Sequence, residues 1–264
     1  MAASALLNIM VKAAQKAGRS LTRDFGEVEN LQVSRKGPAD FVSNADHKAE
    51  EIIHAELIKA RPTYSFLMEE GGEIKGSDGQ HRWIIDPLDG TTNFLHGIPI
   101  FASCIALERN GEIVASVIYN PIMEETFTAE RGGGAWLNER KRLRVAGRRK
   151  LADCVAVTGI KLTGTNDDTR QIKQLAKITP AVAGIRRSGS ACLDLAWLAA
   201  GRYDMYWEAN LSPWDVAPGS LLIKEAGGFI SDYSGKPNSI INGEVVAGNE
   251  IIQLALLKTL KGIN

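Results

Sequence analysis

A chain of 264 residues with 44% hydrophobic and 23% charged side chains is long enough to bury a sizeable core, and the scatter of its Gly and Pro excludes a disordered or low-complexity protein. Lys plus Arg and Asp plus Glu both number 31, so no overall field draws nucleic acid or an anionic membrane to it. The cysteines Cys104, Cys154 and Cys192, odd in number, far apart and set among apolar or small residues, exclude a disulfide framework and read as buried thiols of a cytoplasmic protein.

Residues 1–18 carry no basic start followed by an apolar core and cleavage site, and no stretch approaches the roughly 20 apolar residues of a membrane span. Neither secretion nor a membrane partner is expected. Leu6, Leu7, Ile9, Met10, Ala13 and Ala14 recur at helical spacing. Asp46 opens a second helical pattern through Ala49, Ile53 and Leu57 that stops at Arg61-Pro62. Ser65–Met68 and Arg82–Ile85 are short apolar runs ending at acidic residues, the pattern of strands that deliver carboxylates at their ends.

From Cys104 to Leu137 the runs Cys104–Glu108, Ile113–Tyr119, Glu124–Ala129 and Ala135–Leu137, separated by Asn110-Gly111 and Gly132-Gly133-Gly134, predict an antiparallel meander. The basic run Glu139–Arg144 and Arg148–Lys150 reads as solvated hairpin and loop surface, with a protein or RNA contact as the alternative. Beyond it the predicted order is strand (Cys154–Thr158), helix (Asp167–Ile178), strand at Ile185, helix (Ser190–Ala200) and strand (Tyr203–Trp207). A helix (Asp215–Ala226), strands at Phe229–Ser231 and Val245–Ala247 and a last helix (Glu250–Leu260) follow. Runs of like elements, rather than strict β-α-β alternation, favour an α+β sandwich. One domain over 1–264 is expected, with an N-terminal α+β half of about residues 1–150 and a C-terminal α/β half of about 151–264.

The most informative stretch is Trp83–His96, where an apolar strand runs into Asp86, Pro87, Asp89 and Gly90-Thr91-Thr92-Asn93. Pro87 fixes one backbone angle and Gly90 relieves another, so Asp86, Asp89 and the Leu88 carbonyl can converge as hard oxygen donors for Mg²⁺ or a similar ion. A helix starting after Gly90 would turn its unpaired N–H groups toward the same region and seat a phosphate there. The bland alternative is a turn whose two aspartates cap that helix.

Asp86–Asn93 resembles the signature of the inositol monophosphatase family, and Trp214-Asp215-Val216-Ala217-Pro218-Gly219 continuing to Glu225-Ala226-Gly227-Gly228 is similar to that family's C-terminal motif. The likeness spans nearly the whole chain and is of the bacterial extragenic-suppressor type. It implies a layered αβαβα sandwich of the inositol monophosphatase and sugar phosphatase type, a homodimer, lithium sensitivity, and two to three Mg²⁺ ions, with Mn²⁺ as a substitute. By the same resemblance Glu69, Asp86 and the Leu88 carbonyl hold one metal, Asp86, Asp89 and Asp215 a second, and Glu69 contributes to a weaker third. Glu70 is the adjacent choice to Glu69 and reads as its solvent-facing partner. Thr91 and Asp46 are the implied hydroxyl and carboxylate that orient the attacking water, with Glu69 and Asp89 also catalytic. A helix N-cap is the alternative role of Asp46.

For the substrate, the resemblance implies phosphate contacts around Asp89, Gly90, Thr91 and Asp215, and hydroxyl contacts from Gly189-Ser190-Ala191 and Glu208. An N-cap is the other reading of Ser190, and a surface carboxylate that of Glu208. Lys36 matches a family lysine on a mobile loop near the metals. His96 and Cys192 have little use as donors to Mg²⁺ and read as packing or supporting neighbours. Trp136 and Trp197 are candidates for a dimer face. The implied reaction is hydrolysis of a small phosphorylated polyol or sugar, myo-inositol monophosphate foremost. Fructose 1,6-bisphosphate and nucleotide phosphates are the alternatives within the chemistry. The alternative of another class is a partner protein of the transcription or RNA-processing machinery.

Overall fold

The structure is a computed structural model that describes residues 4–25, 33–37, 40–160 and 166–263, with 33–37, 40–42 and 166–168 described as backbone only. The chain opens with α1 (Ala5–Phe25), then a two-stranded hairpin of β1 (Val33–Gly37) and β2 (Asp40–Ser43), then α2 (Asn44–Ala60). Next come β3 (Ser65–Met68), β4 (Gly72–Ile74), β5 (His81–Asp89), the one-turn α3 (Thr91–Leu95), β6 (Ala102–Arg109), β7 (Glu112–Asn120), β8 (Glu125–Glu130), β9 (Gly134–Leu137) and β10 (Lys141–Arg142). Among the described residues these strands form an eight-stranded sheet in the order β10-β9-β8-β7-β6-β5-β3-β4. Its pairs are antiparallel except β3 with β5.

The rest of the chain is β11 (Val155–Thr158), α4 (Asn166–Ile178), β12 (Gly184–Arg186), α5 (Ala191–Ala199), β13 (Met205–Glu208), α6 (Pro213–Glu225), β14 (Phe229–Ser231), α7 (Ser239–Asn242), β15 (Val245–Gly248) and α8 (Glu250–Leu260). Among the described residues its strands order as β12-β11-β13-β15-β14, the first three mutually parallel.

Side-chain alternation sorts each sheet between two cores. On β6, Ile105 and Leu107 pack with α1 and α2, whereas Cys104 packs with α5 and α6. On β13, Tyr206 faces α5 and α6, while Met205 and Trp207 face α8. The layers therefore run α1/α2, large sheet, α5/α6, small sheet, α4/α8, which is the expected αβαβα sandwich. Helix α5 buries every residue from Cys192 to Ala199 because sheets cover it on both sides. At Gly18 a Cβ would lie 2.5 Å from the Tyr119 ring, so only glycine lets α1 approach β7 this closely.

Several sequence expectations are corrected. Helices α2 and α6 begin at Asn44 and Pro213, two residues before Asp46 and Asp215. Strand β5 does not stop at Ile85 but continues to Asp89. Lys36 falls on β1 rather than in a loop, and its side chain lies outside the described residues. Trp197 is only 7% exposed and donates its indole N–H to Glu125, so it packs in the core. All three cysteines are free and buried. No helix among the described residues is long and apolar enough to cross a membrane.

Candidate active site

Strand β5 carries the first two carboxylates past a bulge. Asp86 pairs with Cys104 and Asp89 with Ala102, so three steps on β5 oppose two on β6. The extra residue gives Pro87, which has no N–H, a place in the ladder. Asp86 Oδ1 accepts from the Leu88 N–H at 3.0 Å, closing the turn over Pro87. The chain then bends at Gly90, whose φ is +98° and where a Cβ would sit 2.9 Å from the Ile100 carbonyl oxygen. A side chain here is excluded on both counts.

Asp215 enters from the first turn of α6, where its Oδ2 accepts from the Ser212 N–H at 2.7 Å. One oxygen of each of Asp86, Asp89 and Asp215 lies within 4.8 Å of the others. Burial raises Asp86 well above the usual carboxylate range, with Glu69 and Asp89 adding repulsion. Burial and then Asp89 do the same to Asp215, Glu69 contributing further. Burial also raises Asp89, against hydrogen bonds that lower it. Two unit charges 4.8 Å apart repel by about 3.5 kcal/mol at an effective dielectric of about 20, so three buried carboxylates at this spacing are stable only when protonated or bound to a cation. Their oxygen-only donor set fits a hard divalent ion.

Glu69 lies at the end of β3, its N–H donating to the Ile85 carbonyl on the parallel neighbour. Its charge acts on Asp86 and Asp215. Glu70 is half-buried and acts instead on Asp46 and Glu50, so it is not the solvent-facing partner expected of it. The Glu70 N–H donates to Glu50 Oε2 at 2.9 Å, which ties the Glu69-Glu70 turn to α2. Sequence reading missed Glu50, although it follows Asp46 by one helical turn and so shares its face.

Asp46 is not the N-cap of α2. Ser43 is, and Asp46 Oδ2 reaches back to accept from the Ser43 N–H at 2.8 Å and its hydroxyl at 2.7 Å. The other oxygen, Oδ1, accepts from Thr91 Oγ1 at 3.2 Å. Thr91 Oγ1 also stands 3.1 Å from the Leu88 carbonyl, so one hydroxyl proton faces two acceptors. Burial raises Asp46, which makes it a better proton acceptor than a surface carboxylate.

Helix α5 meets this cluster with its N-terminus. Ser190 caps the helix by accepting from the Leu193 N–H and donates its own proton to Asp89 Oδ2 at 2.6 Å. The Cys192 and Ala191 N–H groups donate to Asp89 at 2.7 and 3.3 Å. Ser190 and Ala191, expected at the substrate, thus hold Asp89 here. Gly189, at φ +88°, packs against Asn93 and Arg187. Glu208 lies at the end of β13, pushed up to about 7 by burial, with Tyr206 donating to its Oε2 at 2.6 Å and Asp89 adding repulsion. His96 is exposed and bonds the Thr92 carbonyl, apart from the carboxylates. Asp194 was not foreseen. It is 1% exposed and raised by burial, a lone acid on an otherwise apolar helix, which was the available signal.

Known proteins share this sequence and fold. The model of the inositol monophosphatase family matches residues 2–263. The chain is similar to an inositol-1-monophosphatase of Mesorhizobium japonicum, 64% identical over 261 residues that cover 99% of this chain and 98% of the relative. It is 44% identical over 260 residues to the Nus factor SuhB of Pseudomonas aeruginosa, covering 97% and 96%. The crystal structure of the extragenic suppressor protein SuhB from Bartonella henselae superposes with a TM-score of 0.95 at 57% identity, over 98% of this chain and 99% of that one. By sequence over its whole length and by architecture, the chain belongs to the inositol monophosphatase family.

Proposed function

We propose that the protein is a Mg²⁺-dependent phosphatase that hydrolyses small phosphate monoesters, myo-inositol monophosphate first among them. The observation that carries this reading is the convergence of Asp86, Asp89 and Asp215 within 4.8 Å, beside the Thr91–Asp46 pair. Glu69, Asp86, the Leu88 carbonyl, Asp89 and Asp215 would hold two to three Mg²⁺ ions, or Mn²⁺ in their place. When bound, such ions supply charge for the phosphate oxygens and leaving group and make a neighbouring water more acidic.

The chain's own residues do the rest. Thr91 donates to Asp46 Oδ1, which leaves its oxygen to accept from the attacking water and aligns that water in line with the phosphorus. Asp46, anchored through Oδ2 on Ser43, receives the proton passed along this route. Gly90 and Thr91 open α3 and offer backbone N–H groups to the phosphate. Glu208 accepts from a polyol hydroxyl, with Gly189-Ser190-Ala191 bordering the same side. Two names among relatives 60–64% identical, both inositol-1-monophosphatase, support the substrate class. The proposal extends to a cytoplasmic homodimer, one functional domain over 1–264, and inhibition by Li⁺.

The test is phosphate release from inositol phosphates, fructose 1,6-bisphosphate, adenosine bisphosphate and NADP, with and without Mg²⁺, for wild type and Asp89→Asn. Mg²⁺-dependent turnover of inositol monophosphate that vanishes in the variant is expected; a wild type inactive on every ester with Mg²⁺ overturns the reading. A second reading, a contact with the transcription machinery, is favoured by relatives 42–44% identical that are named Nus factors. Capture of polymerase components by Asp89→Asn as well as by wild type is its expected signature.

A further inference from the structure

We propose that Asp89, Cys104 and Cys192 form a binding site for a thiophilic divalent cation such as Zn²⁺ or Cd²⁺, which shares Asp89 with the hard-ion cluster and blocks hydrolysis when filled. The blocking half rests on the phosphatase reading above; the binding half does not.

The three donors come from separate elements. Asp89 ends β5, Cys104 lies one strand over on β6, and Cys192 is the second residue of α5. The two Sγ atoms and a carboxylate oxygen are mutually within 4.8 Å. Three points so spaced share a position about 2.8 Å or less from each. Zn–S bonds of about 2.3 Å and Zn–O bonds of about 2.0 Å are therefore reached by side-chain shifts of less than about 1 Å. The frame is already tied together, since the Cys192 N–H donates to Asp89 Oδ2 at 2.7 Å and the Cys192 thiol donates to the Asp215 carbonyl at 3.3 Å.

Donor chemistry separates the two adjoining sites. Asp86, Asp89 and Asp215 offer oxygen alone, which suits Mg²⁺. Two sulfurs with one oxygen select a softer ion that Mg²⁺ does not displace on affinity. Both thiols are wholly buried, while Asp89 is 9% exposed, so the ion enters from the carboxylate side. On binding, each S–H bond breaks, its proton passes to water and a metal–sulfur bond forms; nothing is oxidised or reduced. An ion held there occupies Asp89 and sets positive charge beside the neighbouring cluster. Hard-ion affinity therefore falls, and by linkage Mg²⁺ weakens the soft ion by the same factor.

The experiment is Cd²⁺ titration of the tag-free, chelator-treated full chain, followed by sulfur-to-cadmium charge-transfer absorption. Inhibition by Cd²⁺ in saturating Mg²⁺ is measured alongside and referred to each protein's own activity without Cd²⁺. Wild type and Cys154→Ala, whose altered thiol lies in the separate core beneath β13, are expected to show one equivalent of band. Cys104→Ala and the more conservative Cys104→Ser are expected to lose it, with the inhibition constant raised at least tenfold. A folded wild type without the band, or a band that persists in both Cys104 variants, overturns the site. A band without inhibition in an active phosphatase overturns the shared-Asp89 half. Binding at Cys104 in a chain that hydrolyses no ester supports the site and sinks the phosphatase reading instead.

Discussion

Replacing Asp215 with Asn removes one charge from the carboxylate cluster but leaves an amide oxygen to accept from the Ser212 N–H, so the start of α6 keeps its cap. In the cation-free protein this relieves repulsion of up to about 3.5 kcal/mol per ionised pair at 4.8 Å. Burial raises these carboxyls, so protonation offsets part of this gain as pH falls. For a chain of this size each kcal/mol gained raises Tm by roughly 2–4 °C. Calorimetry in chelator should therefore show Asp215→Asn melting above wild type. Saturating Mg²⁺ reverses the order, because at a hundredfold excess over Kd wild type gains about 2.7 kcal/mol that the variant forfeits. The pH arm has a definite sign. A carboxyl raised on folding contributes stability below its unfolded value of 3.8 and loses it as pH rises through the folded one, so cation-free wild type weakens with rising pH and Asp215→Asn weakens less. Asp215→Asn melting below wild type in chelator, yet gaining as much from Mg²⁺, would refute the electrostatic account of the cluster.

Thr91→Val should lower kcat about 10²–10³-fold with Mg²⁺ affinity little changed, and Thr91→Ser should retain most turnover; single-turnover phosphate release at fixed Mg²⁺ tests this. Burial pushes Glu208 up to about 7 and it accepts best when ionised, so KM for inositol monophosphate is expected to fall as pH rises through 7 in wild type and to stay flat in Glu208→Gln. An aryl phosphate without ring hydroxyls serves as the control ester. Gly90→Ala must place a methyl group 2.9 Å from the Ile100 carbonyl at φ +98° and should destabilise by about 2–4 kcal/mol, read as a shifted urea midpoint.

The fold was legible where a single period persists. Ser65–Met68 matches β3 residue for residue, and the meander from β6 to β9 follows its turn glycines. The two helix starts were misread for one shared reason. Asp46 and Asp215 each open the apolar pattern of a helix, but the caps are Ser43 and Ser212, three residues upstream, with the aspartates reaching back in a capping box. Pro87 hid the continuation of β5, since proline breaks a ladder unless a bulge receives it, and a bulge depends on the partner strand. Strand β4 was invisible because an exposed three-residue edge needs no apolar pattern. Asp86 and Asp89 could be read from their own turn. Glu50 and Asp194 left fainter marks, a carboxylate one turn after Asp46 and a lone acid on an apolar helix, and the bond from the Glu70 N–H to Glu50 joins segments that only the tertiary fold brings together.

Asp46 and Asp215 each have one oxygen committed to capping the start of its own helix, and Asp89 has both committed to the start of another. Their χ1 and χ2 angles are thereby set when the helices form, before any ligand arrives. Freezing a side chain on binding ordinarily costs about 0.5–1.5 kcal/mol. That ordering entropy is here part of folding, so the free energy of ion capture reflects charge and dehydration with little rotamer loss. Substitution by Glu, which keeps the charge but adds a methylene, forces a choice between the helix end and the ligand position, and so uncouples what aspartate does at once.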